Sequence, residues 1–192
     1  MTASRTVKTL SALLVAMTLG ALVLWGLETQ PVRPTAQPLA VLGPSSAGAG
    51  EVVYGTPIPL QPVQWRYVVV HASAGGTGRV ADGCHFLIAP GLDGDWRITA
   101  TGHWHHQRAG RHIGGYWREG SVGVCLVGDF SRRPPPAEPF RLLVELVNTL
   151  QEACRISPDR VYLQRDLVAG SSSPGEAFPA ERFSARLLPV QP

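Results

Sequence analysis

The chain has 192 residues, enough for one domain of ordinary size with additional segments. Seventeen basic and 14 acidic residues give a formal net charge of +3, which is too mild a balance to indicate nucleic-acid binding. Twenty-one glycines and 17 prolines indicate a loop-rich fold. Three cysteines leave at least one thiol unpaired within the chain, and we expect no essential disulfide.

Residues 10–27, LSALLVAMTLGALVLWGL, contain no charge and follow Arg5 and Lys8. As a helix with a rise of about 1.5 Å per residue, this run would nearly cross the hydrocarbon layer of a membrane. We therefore predict a membrane anchor over residues 1–28, with the rest of the chain on the extracytoplasmic (periplasmic) side. The alternative is a cleaved secretory signal, which would export the domain as well.

A Pro/Gly-rich linker is predicted over residues 29–62, because seven prolines and the stretch PSSAGAG cannot build a core. Within it, Glu51–Tyr54 could add a short edge strand. The folded domain is expected over residues 63–188, and residues 189–192 form a tail.

Apolar runs predict the elements of the domain. Within Trp65–Ser73, five of the six residues from Trp65 to Val70 are aromatic or β-branched, which favours a buried strand that ends near His71. Apolar residues at three- and four-residue steps between Glu138 and Cys154 predict an amphipathic helix, and a short helix is expected at Ala180–Leu188. Further strands are predicted at Cys84–Ala89, Arg97–Thr101, Ser121–Gly128 and Arg160–Gln164. This order indicates an α/β fold, a single domain with a mixed central sheet flanked by helices.

Histidines are concentrated in GHWHHQRAGRH, residues 102–112. His103 and His105 would share one face of a strand and, with His112, could bind a metal ion. The alternative is a polar, half-exposed loop whose histidines contact solvent or ligand. His71, at the end of its strand, is either a hydrogen-bonded core residue or a metal ligand.

The motifs WRYVVVHAS, CHFLI, GRHIGGYWREGSVGVCLVGDF, VYLQRD and SPGEAFP occur in that order. Together they resemble the type-2 N-acetylmuramoyl-L-alanine amidases, which share their fold with the peptidoglycan-recognition proteins. The resemblance covers residues 65–188. It implies a zinc ion on two histidines and a cysteine, with an assisting tyrosine, in an enzyme that cleaves the amide between the lactyl group of N-acetylmuramic acid and L-alanine.

Matched to those motifs, His71 takes the first zinc-ligand position, whereas Gln164 and Ser173 stand at the other two. Cys84 stands at the tyrosine position, and Ser171 could replace a nearby catalytic hydroxyl. Only twelve residues separate His71 from Cys84, where the family inserts a helix and a loop. Cys84 could act as a replacement ligand or as a nucleophile beside His71, and strand alternation then predicts that His85 points to the opposite face.

The resemblance therefore implies a membrane-tethered peptidoglycan-binding domain that has lost zinc-dependent amidase activity, with no cofactor unless the zinc site is retained. The alternatives are an active amidase with a rebuilt metal site, and a folded domain without a ligand. Peptidoglycan and the membrane, through residues 10–27, are the expected partners, and nucleic acid is not. The expected ligand-binding residues are Ser73, His103, His112, Trp117, Arg118 and Arg165, and Trp104 and Tyr116 are further rings that could stack on sugars.

Overall fold

The structure is a computed structural model, and it describes residues 48–73 and 83–189 together with Met17. Its central sheet has five strands, in the order β3-β2-β4-β1-β5. The strands are β1 (Tyr67–Ser73), β2 (Phe86–Pro90), β3 (Trp96–Ala100), β4 (Ser121–Val127) and β5 (Val161–Leu163). All neighbours pair in parallel except β2 and β3, which are antiparallel. The predicted mixed sheet in an α/β domain is therefore confirmed.

Two faces of the sheet carry different residues because side chains alternate along each strand. On one face, Val68, Val70, Val124 and Leu126 join the main hydrophobic core. The helix α3 (Ala137–Cys154) contributes its apolar stripe to this core, as its periodicity predicts. The helix ends where Arg155 adopts a left-handed conformation with φ of 54°. The other face carries His71, Gly123 and Cys125.

The segment before the sheet departs from the sequence-based expectation. Residues Ala49–Tyr54 form a helix, α1, rather than an edge strand. Its Val53 is fully buried in the core, and the Val53 carbonyl oxygen accepts a hydrogen bond of 3.0 Å from the indole nitrogen of Trp104. Packing with the domain therefore begins N-terminal to residue 63, inside the stretch that composition assigns to a linker.

Other boundaries also differ locally from those predicted. The strand expected from Cys84 begins only at Phe86, so Cys84 and His85 lie in a turn rather than in the ladder. Gly102–His105 is a short helix, α2, and Thr101 caps it by accepting a hydrogen bond from the His103 backbone nitrogen. The loop expected after Gln164 starts with a helical turn, α4 (Gln164–Leu167). The last short helix, α5, is Ala180–Ser184.

The membrane prediction falls on residues 10–27, of which only Met17 is described. Among the described residues, no helix combines the length and the apolar character needed to cross a membrane. The residues that would form the predicted anchor thus lie almost entirely outside the part of the chain that the structure describes.

Candidate functional site

The carboxyl ends of β1, β4 and β5 bring the predicted site residues to one edge of the sheet. His71 pairs in register with Cys125 on β4, and Val70 pairs with Leu163, the last residue of β5. Gln164 directly follows that strand, and it therefore enters the same region as His71. In parallel sheets the carboxyl edge is where ligand sites usually form.

Gln164 and the serine loop form a connected hydrogen-bond network beside His71. The Gln164 amide nitrogen donates to the backbone oxygen of His112 at 2.8 Å, and Ser171 Oγ donates to Gln164 Oε1 at 3.4 Å. Ser173 Oγ accepts a 2.9 Å hydrogen bond from the Ala72 backbone nitrogen, next to His71. The Ser173 backbone nitrogen donates in turn to Ser171 Oγ at 3.2 Å. The polar groups at positions 164, 171 and 173 are thus used within the protein.

His112 lies flat against the sheet because position 123 carries no side chain. A Cβ at Gly123 would lie 2.3 Å from Cγ of the His112 ring, which is far inside van der Waals contact. His112 Nε2 is 3.0 Å from Ser121 Oγ, and Nδ1 is 3.3 Å from the Gly83 carbonyl oxygen. Since a carbonyl only accepts, Nδ1 carries the proton and Nε2 accepts from the serine hydroxyl. Burial is the main cause that lowers the pKa of His112 to about 3, and electrostatic repulsion from the neighbouring histidines lowers it further.

His85 is a second buried neutral histidine with a fixed tautomer. Its Nδ1 accepts a 2.9 Å hydrogen bond from the Gly123 backbone nitrogen, and its Nε2 lies 2.9 Å from the Arg108 carbonyl oxygen. Burial is the main cause that lowers the pKa of His85 to about 3. The ring meets His112 edge-on, with centroids 5.4 Å apart. His85 precedes the first residue of β2, so strand alternation does not turn its ring to the opposite face of the sheet. The prediction that His85 points away from the site is therefore wrong.

His71 carries the one unsatisfied polar atom of this region in the described part of the chain. The residue is only 9 % exposed, and Nε2 has no hydrogen-bond partner. Its ring stacks on His112 at a centroid distance of 6.1 Å and an interplanar angle of 10°. A hydrogen bond with Cys125, assisted by one with His71, lowers the pKa of the Cys84 thiol despite its burial. A buried imidazole nitrogen without a partner is the feature here that most needs a ligand.

The other predicted ligand-binding residues are not all in this cluster, although the His103 ring lies 6.0 Å, centroid to centroid, from that of His85. Trp117 packs edge-on against Tyr67, at the opposite end of β1 from His71, and the neighbouring Arg118 donates to the Gly110 carbonyl oxygen. Trp104 is fully buried, so the prediction that it stacks on sugars is wrong. Arg165 is held by the Gly175 carbonyl oxygen at 2.8 Å. Of the rest, Ser73 and His103 are half-buried and Tyr116 is exposed.

Two residues of the site were not recognised as such in the sequence. Within the apolar run SVGVCLVG, Cys125 is most simply interpreted as a small core residue, although it lies in register with His71 and packs in one cluster with Cys84. Gly123 gave no signal, although it supports the His112 ring. Strand alternation from Gly123 to Cys125 would have placed both on the His71 face once the pairing of β1 and β4 was known.

The family model described as N-acetylmuramoyl-L-alanine amidase, Amidase_2, matches residues 61–176. The chain belongs to this family. No curated protein matches it at a significant level. The endolysin amidase LysCS from Clostridium intestinale URNW is a similar solved structure, with 21 % identity, a TM-score of 0.55, and coverage of 67 % of this chain and 88 % of that chain.

Two further structures share the fold at low identity. A selenomethionine derivative of AmpD has 16 % identity and a TM-score of 0.53, and the match covers 66 % of this chain and 87 % of that chain. Drosophila PGRP-LB has 20 % identity and a TM-score of 0.50, with coverage of 71 % and 91 % respectively. These likenesses establish the amidase and recognition-protein fold over nearly the whole length of those chains.

The residues at the three positions that the resemblance assigns to zinc ligands do not, as a set, fit zinc. Catalytic zinc is held by imidazole, thiolate or carboxylate donors, whereas Gln164 and Ser173 offer a neutral amide and a neutral hydroxyl. Both are already hydrogen-bonded to the protein. Within residues 48–73 and 83–189, no three histidine, cysteine or acidic side chains are grouped so as to hold a metal ion.

Proposed function

We propose that this protein binds peptidoglycan through the His71 edge of its sheet and does not cleave the muramyl amide by zinc catalysis. The observation that carries this proposal is the hydrogen-bond network of Gln164, Ser171 and Ser173. It places neutral groups, satisfied by the protein itself, where the family resemblance requires an imidazole and a thiolate. Membership of a family of peptidoglycan amidases supports peptidoglycan as the ligand.

His71 gives the binding proposal a specific contact. Nε2 is buried and has no partner within the described residues, so a hydrogen bond from a ligand would remove the cost of leaving it unsatisfied. Peptidoglycan stem peptides offer amide groups, and the glycan offers hydroxyls, that suit an imidazole nitrogen. We assign His71 as the deepest contact with the ligand, with Ser73 beside it on the same strand.

Tethering to a membrane completes the proposed function. The uncharged run at residues 10–27 with basic residues before it supports an anchor, and the proline-rich stretch after it supports a spacer. In this arrangement the domain lies on the extracytoplasmic side, where peptidoglycan is found.

An amidase with a rebuilt site is the second candidate, because Cys84 contacts His71. Against it stand the burial of Cys84, which is fully shielded from solvent, and the lack of a third donor in the described residues. A nucleophilic thiol also needs access to its substrate. Binding without zinc catalysis therefore accounts for more of the site.

The test is co-sedimentation of the domain, residues 46–192, with purified insoluble peptidoglycan, combined with analysis of released stem peptides. We expect saturable sedimentation and no released peptide, with or without added zinc. His71→Ala should weaken binding by roughly tenfold, which corresponds to loss of about 1.4 kcal/mol of binding free energy. His106→Ala is the matched control, since His106 is an exposed histidine in a neighbouring loop.

Each result has a defined meaning. Release of stem peptides that depends on zinc and on His71 would establish the amidase and overturn the binding proposal. Failure to sediment would leave a folded domain without this ligand. Equal loss in His71→Ala and His106→Ala would show that binding does not use the His71 edge.

A further inference from the structure

Cys84 and Cys125 form a buried pair of thiols on the His71 face of the sheet. Both side chains are fully buried, and they pack in one small cluster with Leu87 and Ala89, separate from the main core. The two thiols are joined by a hydrogen bond. They come from different elements, because Cys125 lies within β4 whereas Cys84 occupies the turn before β2.

The position of Cys84 outside the ladder matters for what this pair can do. Its backbone precedes the first paired residue of β2, whose partner on β4 is Val124. The Cys84 backbone oxygen accepts a 2.6 Å hydrogen bond from the Thr101 hydroxyl, next to β3, and the following backbone nitrogen, of His85, donates a 2.8 Å hydrogen bond to the Gly123 carbonyl oxygen of β4, which keeps Cys84 beside the strand of Cys125.

We propose that Cys84 and Cys125 are joined by a reversible disulfide when the protein meets a disulfide oxidant. The sulfur–sulfur bond forms between the two cysteines, and the disulfide of the oxidant breaks. The two electrons from the cysteine pair reduce the oxidant, and the two thiol protons end on its released thiols. Reduction by a dithiol reverses each of these changes.

The disulfide would act on the site through His71. In the reduced protein the Cys84 thiol hydrogen-bonds both Cys125 and His71. Formation of the disulfide commits the Cys84 sulfur to Cys125, so the His71 imidazole loses this sulfur as a hydrogen-bond acceptor. The consequence for ligand affinity rests on the proposed function, whereas the disulfide itself does not.

Cys154 provides an internal comparison for this pair. It is buried at the end of α3 among residues of the main core, and burial raises the pKa of its thiol to about 12. All three cysteines are thiols in the structure, and the difference between them is that Cys84 and Cys125 contact each other. Selective oxidation of the pair, with Cys154 left as a thiol, is therefore the signature of the proposal.

The test uses the full chain, equilibrated with buffers of oxidised and reduced glutathione, then alkylated in denaturant and analysed by peptide mass spectrometry. We expect a peptide pair joining Cys84 to Cys125, loss of most alkylation at both residues, and full alkylation of Cys154. Cys154→Ser should give the same crosslink. In Cys84→Ser and in Cys125→Ser, the remaining partner should stay alkylatable.

The same measurement is made on the folded chain and on the chain refolded from denaturant in the same buffer. Full alkylation of Cys84 and Cys125 in both samples at the most oxidising ratio would overturn the proposal. A crosslink that involves Cys154 in the folded protein would overturn it too. Peptidoglycan sedimentation of the reduced and oxidised forms is measured separately. If the crosslink forms but neither form sediments, the binding function fails while the disulfide stands.

Discussion

Restoring two zinc ligands is the perturbation that tests the site most sharply. The variant Gln164→His with Ser173→Cys would place one imidazole and one thiolate beside His71, which completes the two imidazoles and one thiolate of the family arrangement. The domain should then bind zinc, whereas the unmodified domain should not. The hydrogen bond from the Ala72 backbone nitrogen, now accepted by Ser173, could be accepted by a thiolate at that position.

The cost of this change follows from the bonds that it removes. Metal-free, the double variant loses the Gln164 bond to the His112 carbonyl oxygen and the hydroxyl acceptor at position 173. Each hydrogen bond contributes about 0.5–1.5 kcal/mol, so the free energy of unfolding should fall by about 1–3 kcal/mol. Zinc at a hundredfold excess over its dissociation constant should restore about 2.7 kcal/mol. For a domain of this size, that gain raises the melting temperature by roughly 5–10 °C.

The assay is thermal unfolding of residues 46–192 with and without zinc, alongside measurement of bound metal after dialysis. The single variants and a version of the double variant carrying His71→Ala are the controls, and all should respond less than the double variant. Two outcomes would refute the reasoning. An equal zinc-dependent shift in the unmodified domain would mean that its present donors hold zinc. No shift in the double variant would mean that positions 164 and 173 are not the ligand positions.

Further predictions concern the support of the site and the boundary of the domain. Gly123→Ala should lower the free energy of unfolding by about 1–3 kcal/mol, measured by urea denaturation, because its Cβ would overlap the His112 ring. Gly114→Ala is the control, because a Cβ there would meet nothing within 4 Å and Gly114, like Gly123, has no positive φ; an unchanged Gly123→Ala would contradict the contact. His85 and His112 have pKa values lowered from 6.5 to about 3, so between these pH values the unfolded chain binds more protons than the folded one. The free energy of unfolding should therefore fall as the pH decreases from 6.5 towards 3, by about 1.4 kcal/mol per pH unit for each histidine. A urea midpoint that stays constant between pH 7 and pH 5 would argue against their burial as neutral groups. A chain that begins at residue 63 should have a free energy of unfolding at least about 2 kcal/mol lower than one that begins at residue 46, and should therefore unfold at a lower urea concentration. The shorter chain lacks the buried Val53 side chain and the carbonyl oxygen that accepts from the Trp104 indole. Equal urea midpoints would show that α1 contributes nothing to stability.

The sheet and α3 could be predicted because their signals are local. β-branched runs identified β1 and β4, and the three- and four-residue spacing between Phe140 and Cys154 identified the helix. The ordered motifs also located His71, Gln164 and Ser173, which the fold brings to one edge. Their role as ligand positions remains a prediction from the resemblance.

The errors fell where tertiary contacts override composition. The segment before β1 is rich in proline and glycine, yet Ala49 and Val53 are buried because α1 packs with α3 and with Trp104. GHWH reads as alternating residues of a strand, but the Thr101 cap turns it into a helix. The contact between Cys84 and Cys125 joins residues 41 positions apart in the sequence, and only the pairing of β2 with β4 brings them together.

Calorimetric titration of the domain with a soluble muramyl peptide, in buffer containing a metal chelator, tests the central claim most directly. We expect saturable binding that is unchanged by the chelator, weakened by His71→Ala, and accompanied by an intact ligand at the end of the titration. Binding that disappears on chelation and returns with zinc, with cleavage of the muramyl amide, would contradict the account and establish a metal-dependent amidase.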